Sequence, residues 1–174
     1  LREAAAVIVG TRATGRAATR LLRLKPDRVH VVPLAPRPAY AYPSSGSGLG
    51  AVEDEAASHE VLAAERERLG LPDRYLVYPG RYDARQDLAT LLECLAELRA
   101  AERPAGLPAG VSWPPRVLLV DARPEDRAAV ARAAGKVGVG DALTYAPGLS
   151  DAGRAVLIRG ARAAILPVIS EATG

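Results

Sequence analysis

The chain has one cysteine, one tryptophan, two histidines and no methionine among its 174 residues. With Cys94 alone, no internal disulfide can form and a zinc site built on cysteines is excluded. His30 and His59 stand far apart in the sequence, so no metal centre and no bound cofactor are expected. No apolar run approaches the ~20 residues that a membrane span needs, and there is no secretory signal, so the expected location is cytoplasmic. A first residue Leu1 in a chain without methionine reads as a piece of something longer.

Charge of either sign is also not massed. Lysine plus arginine number 23 against 20 acidic residues, a net +3, and they are scattered along the chain. That distribution suits binding of small anions rather than the coating of a nucleic acid, and no nucleic-acid partner is expected. The preponderance of arginine over lysine fits bidentate phosphate contacts, but it follows more simply from a GC-rich gene.

The first motif is AVIVGTRATGRAA, residues 6–18. Gly10 and Gly15 have the spacing of a phosphate-binding loop, in which backbone N–H groups wrap the phosphates, a lysine reaches them and a hydroxyl holds magnesium. Here the last two positions are Arg16 and Ala17. Arginine's planar fork replaces a compact ammonium, and alanine cannot bind a metal. The expectation is an ordinary strand-to-helix turn.

Apolar runs that read as buried strands occur at 5–9, 29–33, 75–79, 116–120, 142–146 and 163–168. Helical periodicity lies between most of them, clearest in the stripe Leu88, Leu91, Leu92, Leu95 and Leu98, with Asp87 placed to cap that helix. Cys94, beside the stripe, is expected to be a small core residue. Continuous apolar strands alternating with helices imply a doubly wound, Rossmann-like α/β fold whose parallel sheet is covered on both faces. The segment PLAPRPAYAYPSSGSGLG (33–50) reads as a hinge or surface linker, followed by a helix from about Ser58 to Leu69 that stops at Gly70. RPAGLPAGVSWPP (103–115) reads as an exposed loop in which Trp113 covers a strand entrance.

In open parallel sheets, ligands sit beyond the carboxyl ends of the strands, where helix N-termini attract anions. The turns to weigh are therefore GRYDARQD (80–87), DARPED (121–126), APGLSD (146–151) and PVISEATG (167–174). Gly80 allows a tight bend after its strand, and Arg81 and Arg85 supply two cations at the end of that strand. Glu171 either accepts hydrogen bonds from the hydroxyls of a sugar-like ligand or caps a following helix. Asp121 reads as a turn or cap residue.

In succession, VHVVPLAP, LGLPDRYLVYPGRYDARQDLATLLECLAEL, PPRVLLVDARPED and VGDALTYAPGLSDAGRAVLIRGARAAILPVISEATG resemble the donor half of a two-domain, retaining GT-B glycosyltransferase that uses nucleotide sugars. The resemblance spans nearly the whole chain. It implies that residues 1–36 are the last strand–helix–strand of an acceptor domain, 37–57 a linker, and 58–174 an incomplete nucleotide-sugar-binding domain. It also implies a UDP- or GDP-sugar donor, an acceptor of unknown kind, no obligatory metal, and a full-length enzyme that can associate peripherally with a membrane.

Carried over by position, Gly80 and Arg81 match the family's glycine and first diphosphate-binding cation. Glu171 matches the first glutamate of its sugar-binding pair, and 146–149 the loop that touches the base. The resemblance thus assigns catalysis to Arg81, Arg85 and Glu171, and donor binding to Gly80, Gln86, Pro147, Gly148, Leu149 and Gly174. Departures accompany it. Gln86 stands where a lysine is expected, Pro147 replaces the glycine of the base-binding turn, Val168 and Ala172 replace a serine and a glycine, and the chain stops before the second glutamate. Two expectations follow: a fragment of a nucleotide-sugar-dependent hexosyltransferase, inactive by itself, or a glycosyltransferase-like scaffold that has lost catalysis.

Overall fold

The computed structural model describes residues 4–35, 40, 49–80, 82, 83, 86–108 and 110–167, with the backbone alone over 49–56. The chain divides near residue 38 into two units. In the first, β1 (Val7–Val9) and β2 (Val29–Val31) pair in parallel with Val7 opposite Val29, and α1 (Arg12–Leu22) makes the crossover. Only Gly10 and Thr11 separate β1 from α1, and Thr11 Oγ1 caps the helix by accepting the Thr14 N–H at 3.0 Å. Gly15 is already inside the helix, where an added Cβ would meet Val9 at 3.4 Å and Val29 at 3.5 Å. This leaves no loop to cradle phosphates, and Gly15 serves close helix–strand packing instead.

The second unit is a four-stranded parallel sheet in the order β5-β4-β3-β6. Its strands are β3 (Leu76–Tyr78), β4 (Val117–Val120), β5 (Leu143–Ala146) and β6 (Ala163–Ala164). Between them run α3 (Leu88–Ala100), α4 (Pro124–Lys136) and α5 (Asp151–Gly160), with α2 (Leu49–Leu69) ahead of β3. All four residues of β4 are buried, as a strand covered on both faces requires. Val117 and Leu119 pack with Leu91, Leu92 and Leu95 of α3 and Val130 and Ala134 of α4. Leu118 and Val120 face the other way, toward Leu62 and Leu69 of α2 and Leu157 of α5. The fold is therefore helix–sheet–helix, the doubly wound arrangement read from the alternation of segments.

All six strands fall inside the expected runs but are shorter, since hydrogen bonding between neighbouring strands ends before the apolar stretch does. Helix α2 begins at Leu49 rather than near Ser58, so the back part of the expected linker is helical. The run AVEDEAAS is rich in alanine and glutamate, whose helix propensity outweighs the Ser/Gly punctuation before it. At the other end, Gly70 at φ +59° and Leu71 close the helix with N–H bonds to Glu67 and Arg66 carbonyls at 3.1 and 2.9 Å.

Cys94 is exposed, not in the core. It precedes Leu95 by one residue, which turns it about 100° away from the buried stripe of α3. Asp87 does hold the N-cap position of α3, in a left-handed conformation at φ +35°, but its carboxylate takes no backbone N–H. It accepts the Thr90 hydroxyl at 2.8 Å instead. In the 103–115 loop, Arg103 to Gly106 are exposed as expected, but Val111 to Trp113 are half-buried and Pro114 is buried, and Trp113 donates Nε1–H to the Ala101 carbonyl at 3.3 Å.

Candidate functional site

The strand order fixes where a ligand site can form. From β3 the chain winds outward through β4 to β5, then α5 carries it back over the opposite face to β6 on the far side of β3. Helix α3 leaves β3 over one face of the sheet and α5 reaches β6 over the other, the kind of switch point at whose carboxyl ends doubly wound sheets bind ligands. The two strands are parallel, with Leu76 opposite Ala163 and Val77 opposite Ala164. Ile165 extends the pairing by donating its N–H to the Val77 carbonyl at 2.8 Å.

Of the residues expected at this rim, Arg81, Arg85, Val168, Glu171, Ala172 and Gly174 lie outside the described residues. Gly80 follows β3 after Pro79. A Cβ there would come within 2.7 Å of Tyr78 Cζ, 2.8 Å of its hydroxyl and 2.9 Å of Gln86 Oε1, so a larger residue would force these buried side chains to shift. Gln86 is only 5 % exposed, and its N–H bonds the Asp83 carbonyl at 3.1 Å in the turn before α3. A neutral amide suits such burial better than an ammonium, whose charge would be costly to desolvate there. At the next turn, Pro147 and Gly148 are exposed, Gly148 at φ +66°, while Leu149 packs partly into the core beside Leu157. Ser150 caps α5 by accepting the Gly153 N–H at 3.0 Å.

A cavity of about 400 Å³ lies between the turns after β3 and β4. Pro79, Gly80, Tyr82 and Asp83 line one side; Val120, Asp121, Arg123 and Asp126 line the other. Tyr82 braces the two turns: its hydroxyl donates to the Val120 carbonyl at 2.9 Å, and its ring meets Tyr78 edge-on with centroids 5.6 Å apart. Burial raises the Tyr82 pKa well above the usual phenol value, so it acts as a neutral donor. Arg123 grips Asp126 through Nε at 2.7 Å and Nη2 at 3.2 Å, and that hydrogen bond holds the Asp126 carboxyl below the usual carboxylate range. With three carboxylates and one guanidinium among its described lining, this cavity does not favour a diphosphate.

The turn after β4 carries an arrangement with no local signature in the sequence. Asp121 adopts a left-handed conformation at φ +54°, which Asp tolerates better than most residues. Its carboxylate pairs with Nε of Arg154, from α5. Arg154 also donates from Nη1 to the Tyr40 hydroxyl and to Asp151 Oδ1, both at 3.1 Å. The Tyr40 hydrogen bond, then the close Asp121 carboxylate, raise the guanidinium pKa further and keep it charged. Asp121 and Tyr40 lie 33 and 114 positions from Arg154, so no local spacing could have linked them.

Among the described residues no group of three or more His, Cys, Asp or Glu side chains could hold a metal ion, and no helix is long and apolar enough to cross a membrane.

No family model and no curated protein matches the sequence. Solved structures do. Sucrose-phosphate synthase from Thermosynechococcus elongatus aligns with all of this chain at 22 % identity and a TM-score of 0.66, over 37 % of its own length. HepE from Anabaena, in complex with UDP, aligns with 96 % of this chain at 13 % identity and a TM-score of 0.62, over 39 % of its length. The chain thus spans under two fifths of the proteins it resembles. Its fold is that of part of a GT-B glycosyltransferase, as the succession of turns led one to expect.

Proposed function

We propose that this chain is the donor-binding part of a retaining glycosyltransferase, which moves a hexosyl group from a UDP- or GDP-sugar to an acceptor. Residues 1–36 then belong to the acceptor domain, 37–57 to the crossing between domains, and 58–174 to the nucleotide-sugar domain. The observation that carries this reading is the reversal of strand order at β3, with β6 as its parallel neighbour. Arg81 follows Gly80 directly after β3, and Glu171 follows β6 in the sequence. The fold shared with HepE, whose structure contains UDP, supports a nucleotide diphosphate as the ligand.

In this reading Arg81 and Arg85 neutralise the diphosphate as the sugar–phosphate bond breaks, and no metal is obligatory. Stabilising charge that develops on a leaving group is the kind of interaction that contributes most to catalysis. Gly80 keeps the backbone close to the phosphates, Gln86 supports that turn, Pro147, Gly148 and Leu149 meet the base, and Glu171 with Gly174 takes the sugar. By itself the chain, which spans under two fifths of the proteins it resembles, is expected to bind donor without transferring it.

Calorimetry with UDP and GDP tests the reading. Binding of one nucleotide, lost in Arg81→Ala, is the expected result. Absence of binding to either by the intact protein would overturn it and leave the scaffold reading, which the buried neutral Gln86 favours.

A further inference from the structure

The turn Pro147–Leu149, exposed at Pro147 and Gly148, is held at both ends by hydrogen bonds and ion pairs that form one closed circuit. Before the turn, the Ala146 carbonyl accepts the N–H of Asp121 at 3.1 Å, joining the ends of β5 and β4. After it, Ser150 caps α5 through the Gly153 N–H at 3.0 Å, and its own carbonyl accepts the Arg154 N–H at 2.9 Å. Arg154 then closes the circuit. Its Nη1 holds Asp151 at the first position of α5 while its Nε holds the carboxylate of Asp121. The same Nη1 reaches the Tyr40 hydroxyl, so the chain ahead of α2 is fastened to the ring as well.

We propose that Arg154 is a positioning residue: by linking Asp121 to Asp151 it fixes both ends of the 147–149 turn and so sets that turn for contact with the nucleotide base. The second half of this statement rests on the donor-binding reading above; the first half does not. Three features support this role. Arg154 engages two carboxylates and a phenol through two nitrogens, Nε and Nη1, which a planar fork offers and a single ammonium does not. Its side chain is 24 % exposed, which lessens solvent screening of the pair with Asp121. Gly148, at φ +66°, gives the turn a residue with little conformational preference of its own, so its shape is decided by its anchors.

The test compares Arg154→Met, which keeps the apolar stem, with Arg154→Lys and Asp121→Asn. Amide hydrogen exchange is read at 148–153 and 121–123, with the β3 amides 76–78 as internal reference, and UDP affinity is read by calorimetry. Expected in Arg154→Met is exchange faster by about tenfold at both ends of the turn with β3 unchanged, and UDP binding weaker by about tenfold. Asp121→Asn should loosen the same amides, and Arg154→Lys should recover part of both losses. Should Arg154→Met fail to fold, Asp121→Asn gives the same reading. Unchanged exchange at 148–153 in a folded variant overturns the circuit, and faster exchange with unchanged UDP affinity overturns its role in positioning. If the unaltered protein binds neither UDP nor GDP, the donor-binding reading falls, and exchange alone decides the circuit.

Discussion

The Tyr75 hydroxyl donates a 2.7 Å hydrogen bond to the Leu157 carbonyl, joining the residue that leads into β3 to the last turn of α5. Leu157 needs this partner. The Ala161 N–H that would serve it in a longer helix turns to the Ile158 carbonyl instead, leaving the Leu157 oxygen as one of the orphans of a helix end. Tyr75 is 1 % exposed, so water cannot replace it.

Tyr75→Phe should therefore destabilise the fold by about 1–3 kcal/mol, the usual range for leaving a buried polar group unsatisfied. Denaturant titration checks this through the midpoint at unchanged slope. A midpoint equal to that of the unaltered protein would mean that the carbonyl finds another donor.

Alkaline pH should weaken the fold through the same tyrosines. Desolvation raises Tyr75 and Tyr78 to about 12, against an ordinary value near 10, and raises Tyr82 further. These groups hold their protons in the folded state at a pH where the unfolded chain has lost them. Their contribution is then fully present below pH ~10 and declines as the pH climbs from ~10 through ~12. Circular dichroism of the unfolding transition at stepped pH should show that decline, with a shallower slope in Tyr75→Phe.

Gly80→Ala should cost about 1–3 kcal/mol, the range for forcing an extra methyl into a packed site. The methyl would strike the Tyr78 ring and the Gln86 amide, and both side chains, almost fully buried, would have to shift against their packed neighbours. In the donor-binding reading, nucleotide affinity should fall as well, because the displaced backbone is the one approaching the phosphates. Thermal unfolding and calorimetry on one sample separate the two effects; an unaltered melting temperature would show that the turn yields freely.

Much of the second unit was legible because its signals are local. Four consecutive apolar residues in β4 and the leucines of α3 announce a two-faced sheet and the helix that covers it. The turn glycines at 70 and 80 were legible for the same reason. Hydrophobic character pointed Cys94 inward, whereas the helical phase of residue 94 turns it outward. Ser/Gly punctuation pointed to a later start for α2, and the alanine and glutamate that follow overrode it. The pairing of Arg154 with Asp121, the brace from Tyr82 to Val120 and the acidic cavity beside them could not be read, since each joins residues brought together only by strand order. The candidate donor residues were found by resemblance in their sequence order, and position along a chain says nothing of how side chains converge.

The sheet's connectivity also constrains how the chain reaches this state. Every ladder in it is parallel, and β3 must pair both with Val117–Leu119 and with Ala163–Ala164, segments far down the chain. Loop closure on that scale costs entropy before any contact offsets it, which places such topologies toward the slower, millisecond-to-second end of single-domain folding. The two-residue β6, gathered last from the greatest distance and with the fewest ladder bonds, should dock late, so refolding followed at the β3–β6 margin should lag behind refolding followed at β4.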